Sequence, residues 1–129
     1  MPLVRITAPD SLDRDQLATI AHGIHRALID TVGIPEGDRF QLLITHPPEV
    51  FAFDPDYLDV ARERVVCIEI TLVGGRTDDT KRNLYRHIAD NIKDSGVRSQ
   101  DVFVVLTENH RADWSVGEGR AQLLDMAVK

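Results

Sequence analysis

With a single cysteine, Cys67, the chain cannot close an internal disulfide. The setting of that thiol, Val65-Val66-Cys67-Ile68, reads as a buried strand and not as a reactive site. No apolar run approaches the roughly 20 residues that span a bilayer, and no basic segment followed by an apolar stretch marks the amino terminus for export. The expectation is a cytoplasmic protein. Positive charge is also short: 15 Lys and Arg against 21 Asp and Glu leave a net charge of -6. That balance withholds the attraction on which nonspecific binding to nucleic acid or a membrane surface depends. Aromatics make up only 5% of the chain, with Trp114 the sole tryptophan. Metal-ligand spacing is missing as well: His22 and His25 stand three apart, but no Cys or carboxylate set accompanies them. Small molecules and protein partners remain.

What is present is enough for one domain: 129 residues, 43% of them hydrophobic, can bury a core. Residues 3–7 read as a short strand. Ser11 is placed to cap a helix carrying Leu17, Ile20, Ala21, Ile24, Leu28 and Val32 on one face, stopped by Gly33 and Pro35. A second strand is expected over 38–45. The stretch 46–64, with three prolines, is a long connection in which Asp54-Pro55 can open one short helix. Residues 65–73 are nearly continuous apolar and β-branched, with Glu69 the exception. Thr77 caps a helix whose Leu84, Ile88 and Ile92 face the sheet, Gly96 ends it, and 101–107 is the fourth strand.

The second half echoes the first at an offset of 63 residues: Gly33-Ile34-Pro35-Glu36-Gly37-Asp38-Arg39-Phe40 stands against Gly96-Val97-Arg98-Ser99-Gln100-Asp101-Val102-Phe103. This predicts an α/β (α+β) chain of two fused β-α-β units, about 2–46 and 65–109, with a tail over 110–129, all in one domain. Each unit pairs its strands in parallel through a right-handed crossover, giving a four-stranded sheet with both helices on one face. The other face is then bare, and covering it calls for a symmetric oligomer.

Three polar or special residues stand at ends of strands. Pro2 leads straight into the first strand, Asp38 precedes the second, and Arg76 follows the third. The tail adds Asp113-Trp114-Ser115-Val116-Gly117-Glu118-Gly119-Arg120-Ala121-Gln122. Together with the duplicated β-α-β units, this pattern resembles the tautomerase superfamily over essentially the whole chain, and within it the malonate semialdehyde decarboxylase branch. The resemblance implies a homotrimer, a site around the amino-terminal proline with walls from a neighbouring subunit, and no cofactor. It implies that Pro2 is catalytic, that Asp38 matches the family's acidic residue, that Arg76 matches its carboxylate-binding arginine, and that Trp114 is a wall of the pocket. A histidine near the position of His25 contacts substrate in related dehalogenases. The chain also departs from that branch: Gly74 stands where the decarboxylase has a second arginine, and Val116 and Leu123 replace aromatic wall residues. A less cationic, more open pocket follows.

The residue types suit the task. A free proline nitrogen is a secondary amine on a rigid ring, and α-amino groups titrate near about 7.7 to 8.0, so neighbours decide its role. Neutral, it shuttles a proton between carbon and oxygen of a keto-enol pair. Charged, it polarises the carbonyl of a 3-oxo acid so that loss of CO2 leaves a stabilised enolate. The Arg76 guanidinium can bind a carboxylate at two points, and Asp38 can orient a water or hold the charged amine. All of this requires removal of Met1, because an acylated Pro2 has no basic nitrogen.

The function expected is therefore a cofactor-free enzyme acting on a small carboxylate-bearing oxo or enol substrate, by decarboxylation or hydration of a 3-oxo acid. The alternatives are a keto-enol tautomerase of phenylpyruvate type and a catalytically idle trimeric binding protein, which retained Met1 favours. Plainer roles stand beside these. Asp38 and its echo Asp101 can be simple turn residues. Arg76 can be a solvated residue ahead of the Thr77 cap, and Gly74-Gly75 can merely allow the turn. His46, His87 and His110 carry no paired signal, and Lys81, Arg82 and Arg86 read as a solvated helix flank.

Overall fold

The computed structural model describes residues 1–126; the last three residues of the tail segment 110–129 lie outside the described residues. Apolar side chains alternate along β1 (Pro2–Pro9) and β3 (Val66–Val73). Val4, Ile6, Ala8, Val66, Ile68, Ile70 and Leu72 are buried, whereas Leu3, Arg5 and Glu69 are exposed. A period of two puts one face of both strands against a covering layer. That layer is α1 (Arg14–Ala27) and α2 (Asp78–Asn91), whose Ile20, Ile24, Ala27, Leu84 and Ile88 complete the core. With β2 (Gln41–His46) and β4 (Val102–Asn109), the sheet has the order β2-β1-β3-β4. The pairs β1–β2 and β3–β4 are parallel and β1–β3 is antiparallel. This is the four-stranded sheet with its two main helices on one face that the pattern predicts.

Local details differ from the sequence reading for identifiable reasons. Asp13, not Ser11, caps α1: its carboxylate accepts the Gln16 N–H and the Gln16 side chain accepts the Asp13 N–H, each at 2.8 Å. A reciprocal box satisfies two orphan donors where one serine satisfies one; Ser11 instead accepts from Arg64 at 3.1 Å. The last turn of the first helix, Leu28–Val32, is wound wide, so that the Gly33 N–H reaches the Leu28 carbonyl. Gly33 and Gly96 both end their helices in the left-handed region, at φ 80° and 87°, where a side chain is strained. The long connection holds two short helical turns, Pro48–Val50 and Tyr57–Asp59, the second beyond Asp54-Pro55 where Arg62 Nη1 gathers the carbonyls of Asp54, Tyr57 and Val60.

The face away from the helices carries Leu3, Leu42, Ile44, Phe103 and Val105, each 43–48% exposed. Cys67 sits on this side, half-buried, because its neighbours Val66 and Ile68 take the helix face. Burial and the nearby Glu69 carboxylate push its thiol pKa up. Among the described residues no helix is long and apolar enough to cross a membrane.

Candidate active site

Pro2 opens β1 and is buried. Ahead of it, the Met1 amine lies 3.3 Å from Asp38 Oδ2, with both groups largely enclosed. Asp38 comes from the turn that leads toward β2. Its N–H is bound to the Pro35 carbonyl at 3.0 Å, and the same turn is tied to α1 by buried His25, whose Nε2 donates to the Glu36 carbonyl at 2.8 Å. His25 thus supports the loop that presents Asp38. His22 is exposed, and among the described residues no cluster of three His, Cys, Asp or Glu side chains can hold a metal ion.

The echo residue Asp101 shows what a structural carboxylate looks like at this junction. It is buried, with one oxygen accepting the Glu63 N–H at 2.8 Å and the other paired with Arg98 at 3.2 Å. Asp38 differs: its Oδ1 is buried and has no hydrogen-bond partner among the described residues. An orphaned carboxylate oxygen is costly to keep, and such groups collect where a ligand or a reacting proton supplies the missing partner.

Arg76 lies just beyond β3. Gly75, at φ 121°, turns the chain, and Arg76 Nη1 donates to the Val73 carbonyl at 2.6 Å. Because Pro2 pairs with Leu72 in the sheet register, this puts the arginine at the same end of the sheet as the proline. Leu72 in turn pairs with Glu108, so Pro2, Leu72 and Glu108 form one row across three strands. The Glu108 carboxylate accepts the Gly75 N–H at 3.1 Å and forms an ion pair with Lys81 of α2. The Lys81 partnership holds the Glu108 carboxyl below its ordinary pKa and raises that of Lys81. Lys81 is therefore not the freely solvated flank residue that its sequence setting suggested. Nothing local signals the pair, since its members are 27 residues apart.

The tail folds against the end of β4. Trp114 Nε1 donates to Asn109 Oδ1 at 2.6 Å, and Arg111 donates twice to the Leu123 carbonyl, from Nε at 2.9 Å and Nη2 at 2.6 Å. Gln122, at the start of α3 (Gln122–Asp125), accepts from the Val116 N–H and donates to the Gly117 carbonyl. Val116 is exposed and Leu123 half-buried. A cleft of about 630 Å³ lies between the tail and the strand ends, walled by Gly74, Gly75, Glu108, Asn109, Arg111 and Leu124 among others. Pro2, Asp38, Arg76, Trp114, Val116 and Leu123 are not among its wall residues. Within one chain, the proline end and the cleft are thus neighbouring features across the Leu72–Glu108 row, not a single chamber.

The duplicated β-α-β sheet has Pro2, Asp38 and Arg76 at one end, and the chain belongs to the tautomerase family: models described as "Tautomerase enzyme" match residues 38–117 and 2–61. Within the superfamily it falls in the malonate semialdehyde decarboxylase branch. It is 38% identical to "Probable tautomerase YusQ" of Bacillus subtilis (strain 168), over 97% of this chain and 100% of that protein. A crystal structure of a malonate semialdehyde decarboxylase inhibited by 3-bromopropiolate superposes with a TM-score of 0.91 at 35% identity, covering 98% of this chain and 99% of the other. Another malonate semialdehyde decarboxylase, described for its decarboxylase and hydratase activities, gives a TM-score of 0.88 at 29% identity, over 97% and 99% of the two chains.

Proposed function

We propose that the chain, once Met1 is removed, is a cofactor-free enzyme that uses the Pro2 amine on a small carboxylate-bearing oxo-acid, decarboxylating or hydrating a 3-oxo acid. The observation that carries this reading is the half-buried Asp38 carboxylate, with one oxygen facing the Met1 amine and the other enclosed and without a hydrogen-bond partner among the described residues. Loss of Met1 moves the terminus back by one residue, about 3.8 Å of chain, and the Pro2 nitrogen becomes the amine in front of Asp38. A carboxylate at that place favours a protonated ring nitrogen. The ammonium donates to the substrate carbonyl while Arg76 holds the carboxylate. The bond from C2 to the carboxylate carbon breaks, its electron pair passes into the enolate, CO2 departs, and a proton from Pro2 closes the valence at C2. For hydration, Asp38 orients the water that adds to the carbonyl.

The match to malonate semialdehyde decarboxylases over nearly the full length supports the decarboxylase frame. A second reading, keto-enol tautomerisation of phenylpyruvate type, is favoured by Gly74, since one cation suffices for that reaction. In both readings the working form is a homotrimer in which the exposed apolar sheet face is covered and a neighbouring tail, bearing Trp114, Val116 and Leu123, walls the site; fused relatives of this fold are described as trimers. The idle binding protein is the outcome if Met1 stays, because its amine then occupies Asp38.

The test combines intact mass, to establish the mature terminus, with ultraviolet assays on malonate semialdehyde and on enol-phenylpyruvate. The expected result is turnover of the first, with KM raised in Arg76→Ala. Turnover of the enol alone selects the tautomerase, and turnover of neither, on a chain that starts at Pro2, overturns the enzyme reading.

A further inference from the structure

We infer that Glu108, anchored by Lys81, is a positioning residue for Arg76. The inference rests on the reading of Arg76 as the carboxylate anchor and adds the group that aims it. Arg76 is folded back on its own strand end, Nη1 to the Val73 carbonyl at 2.6 Å, so the direction of the guanidinium is set by the short turn between those residues. That turn has few internal means of holding its shape. Gly75 adopts φ 121°, which only glycine takes without strain, and two adjacent glycines bring the largest backbone freedom available. What fixes it comes from β4. The Asn109 carbonyl accepts the Gly74 N–H at 2.8 Å, and the Glu108 carboxylate accepts the Gly75 N–H at 3.1 Å. Lys81, from the first turns of α2, grips the other carboxylate oxygen. The two side chains are 24% and 29% exposed, so the pair is partly withdrawn from solvent.

Gly74 is fitted to this arrangement. A Cβ at that position would stand 3.3 Å from Glu108 Oε2 and 3.5 Å from both Glu108 Cβ and the Asn109 carbonyl oxygen. A side chain there crowds the carboxylate that holds the turn. Glycine at 74 thus leaves room for the Glu108 carboxylate as a strut beneath the turn that carries Arg76. The strut is also correctly sited, because Glu108 shares its sheet row with Pro2 through Leu72. A shift of the turn changes the span between guanidinium and proline, and that span decides whether one small oxo-acid can reach both.

The test is steady-state kinetics on protein processed to Pro2, with the oxo-acid that wild type turns over. Removal of a strut acts on substrate capture: Glu108→Ala is expected to raise KM about tenfold and leave kcat within about twofold, the size of one charge-assisted hydrogen bond. Glu108→Gln keeps an acceptor for the Gly75 N–H and is expected to recover most of the loss. Lys81→Met, which leaves the carboxylate in place but unanchored, is expected to raise KM about threefold, and it carries the test if Glu108→Ala does not fold. Because Glu108 acts through Arg76, adding Glu108→Ala to Arg76→Ala should cost nothing further in KM. The inference is overturned if Glu108→Ala lowers kcat at constant KM, if its effect adds in full to that of Arg76→Ala, or if Lys81→Met has no effect on KM. If Arg76→Ala itself leaves KM unchanged, the anchor reading fails first, and Glu108 has nothing to position.

Discussion

The α-amine of Met1 and the carboxylate of Asp38 stand 3.3 Å apart at the edge of the sheet, their side chains only 13% and 14% exposed. Under the proposed function, removal of Met1 replaces this primary amine with the ring nitrogen of Pro2, one residue further along the chain, as the group that faces Asp38. Asp38→Asn keeps the shape and removes the charge that holds the ammonium. In the trimmed enzyme it is expected to lower kcat about a hundredfold, the low end of what a positioned proton-handling group contributes. The check is kcat beside an unchanged melting profile.

Arg76→Ala removes a guanidinium that offers two-point binding to a carboxylate. A charge-assisted hydrogen bond contributes about 1.5–3 kcal/mol, so KM should rise by roughly ten- to a hundredfold. A competitive inhibitor that lacks a carboxylate should bind wild type and variant alike.

Gly23→Ala probes the seam between the helices. Alanine gains about 1 kcal/mol of helix propensity over glycine. Here the new methyl would lie 3.0 Å from Ile92 Cγ2 and 3.1 Å from Asn91 Cβ, while Asn91 already donates to the Gly23 carbonyl at 3.0 Å. Overpacking of this kind costs about 1–3 kcal/mol, and the neighbours are part of a packed helix that cannot step aside. A net loss of up to about 2 kcal/mol by urea titration is expected, in contrast to the gain that propensity alone implies.

Cys67 supplies a pH dependence. Burial first, and the Glu69 carboxylate second, disfavour its thiolate and raise its pKa. The thiolate is the nucleophile, so alkylation by iodoacetamide should be slow at neutral pH and reach half its maximal rate above the ordinary thiol range. A half-maximum at or below that range contradicts this reading of the Cys67 surroundings. Glu69→Gln should move it down, toward the ordinary value.

Much of this was legible in the chain. Alternation in β1 and β3 gave the strands, and the Gly33 and Gly96 echo gave the two helix ends, because left-handed backbone leaves a residue-type signature. The placement of Pro2, Asp38 and Arg76 at one end of the sheet was legible because each sits beside a strand end. Positions set by distant partners were not. Ser11 was a reasonable cap until the Asp13–Gln16 box outcompeted it, and the turn at Tyr57–Asp59 depends on Arg62 reaching back across the loop. Lys81 carried no sequence mark of Glu108, because side-chain pairing between a helix and a strand is decided by packing. The cleft of about 630 Å³ beside the tail arises in the same way, from Arg111 and Trp114 tying down the segment after β4.

In the proposed function the ring nitrogen of Pro2 does the chemistry. The most direct measurement of this is kcat/KM of Pro2→Ala against wild type, on proteins whose intact masses show that Met1 is gone from both. The expected result is a fall of at least about a hundredfold with the fold and assembly unchanged, since a primary amine on a flexible terminus lacks the fixed lone pair of the ring. Equal kcat/KM for the two would contradict the account.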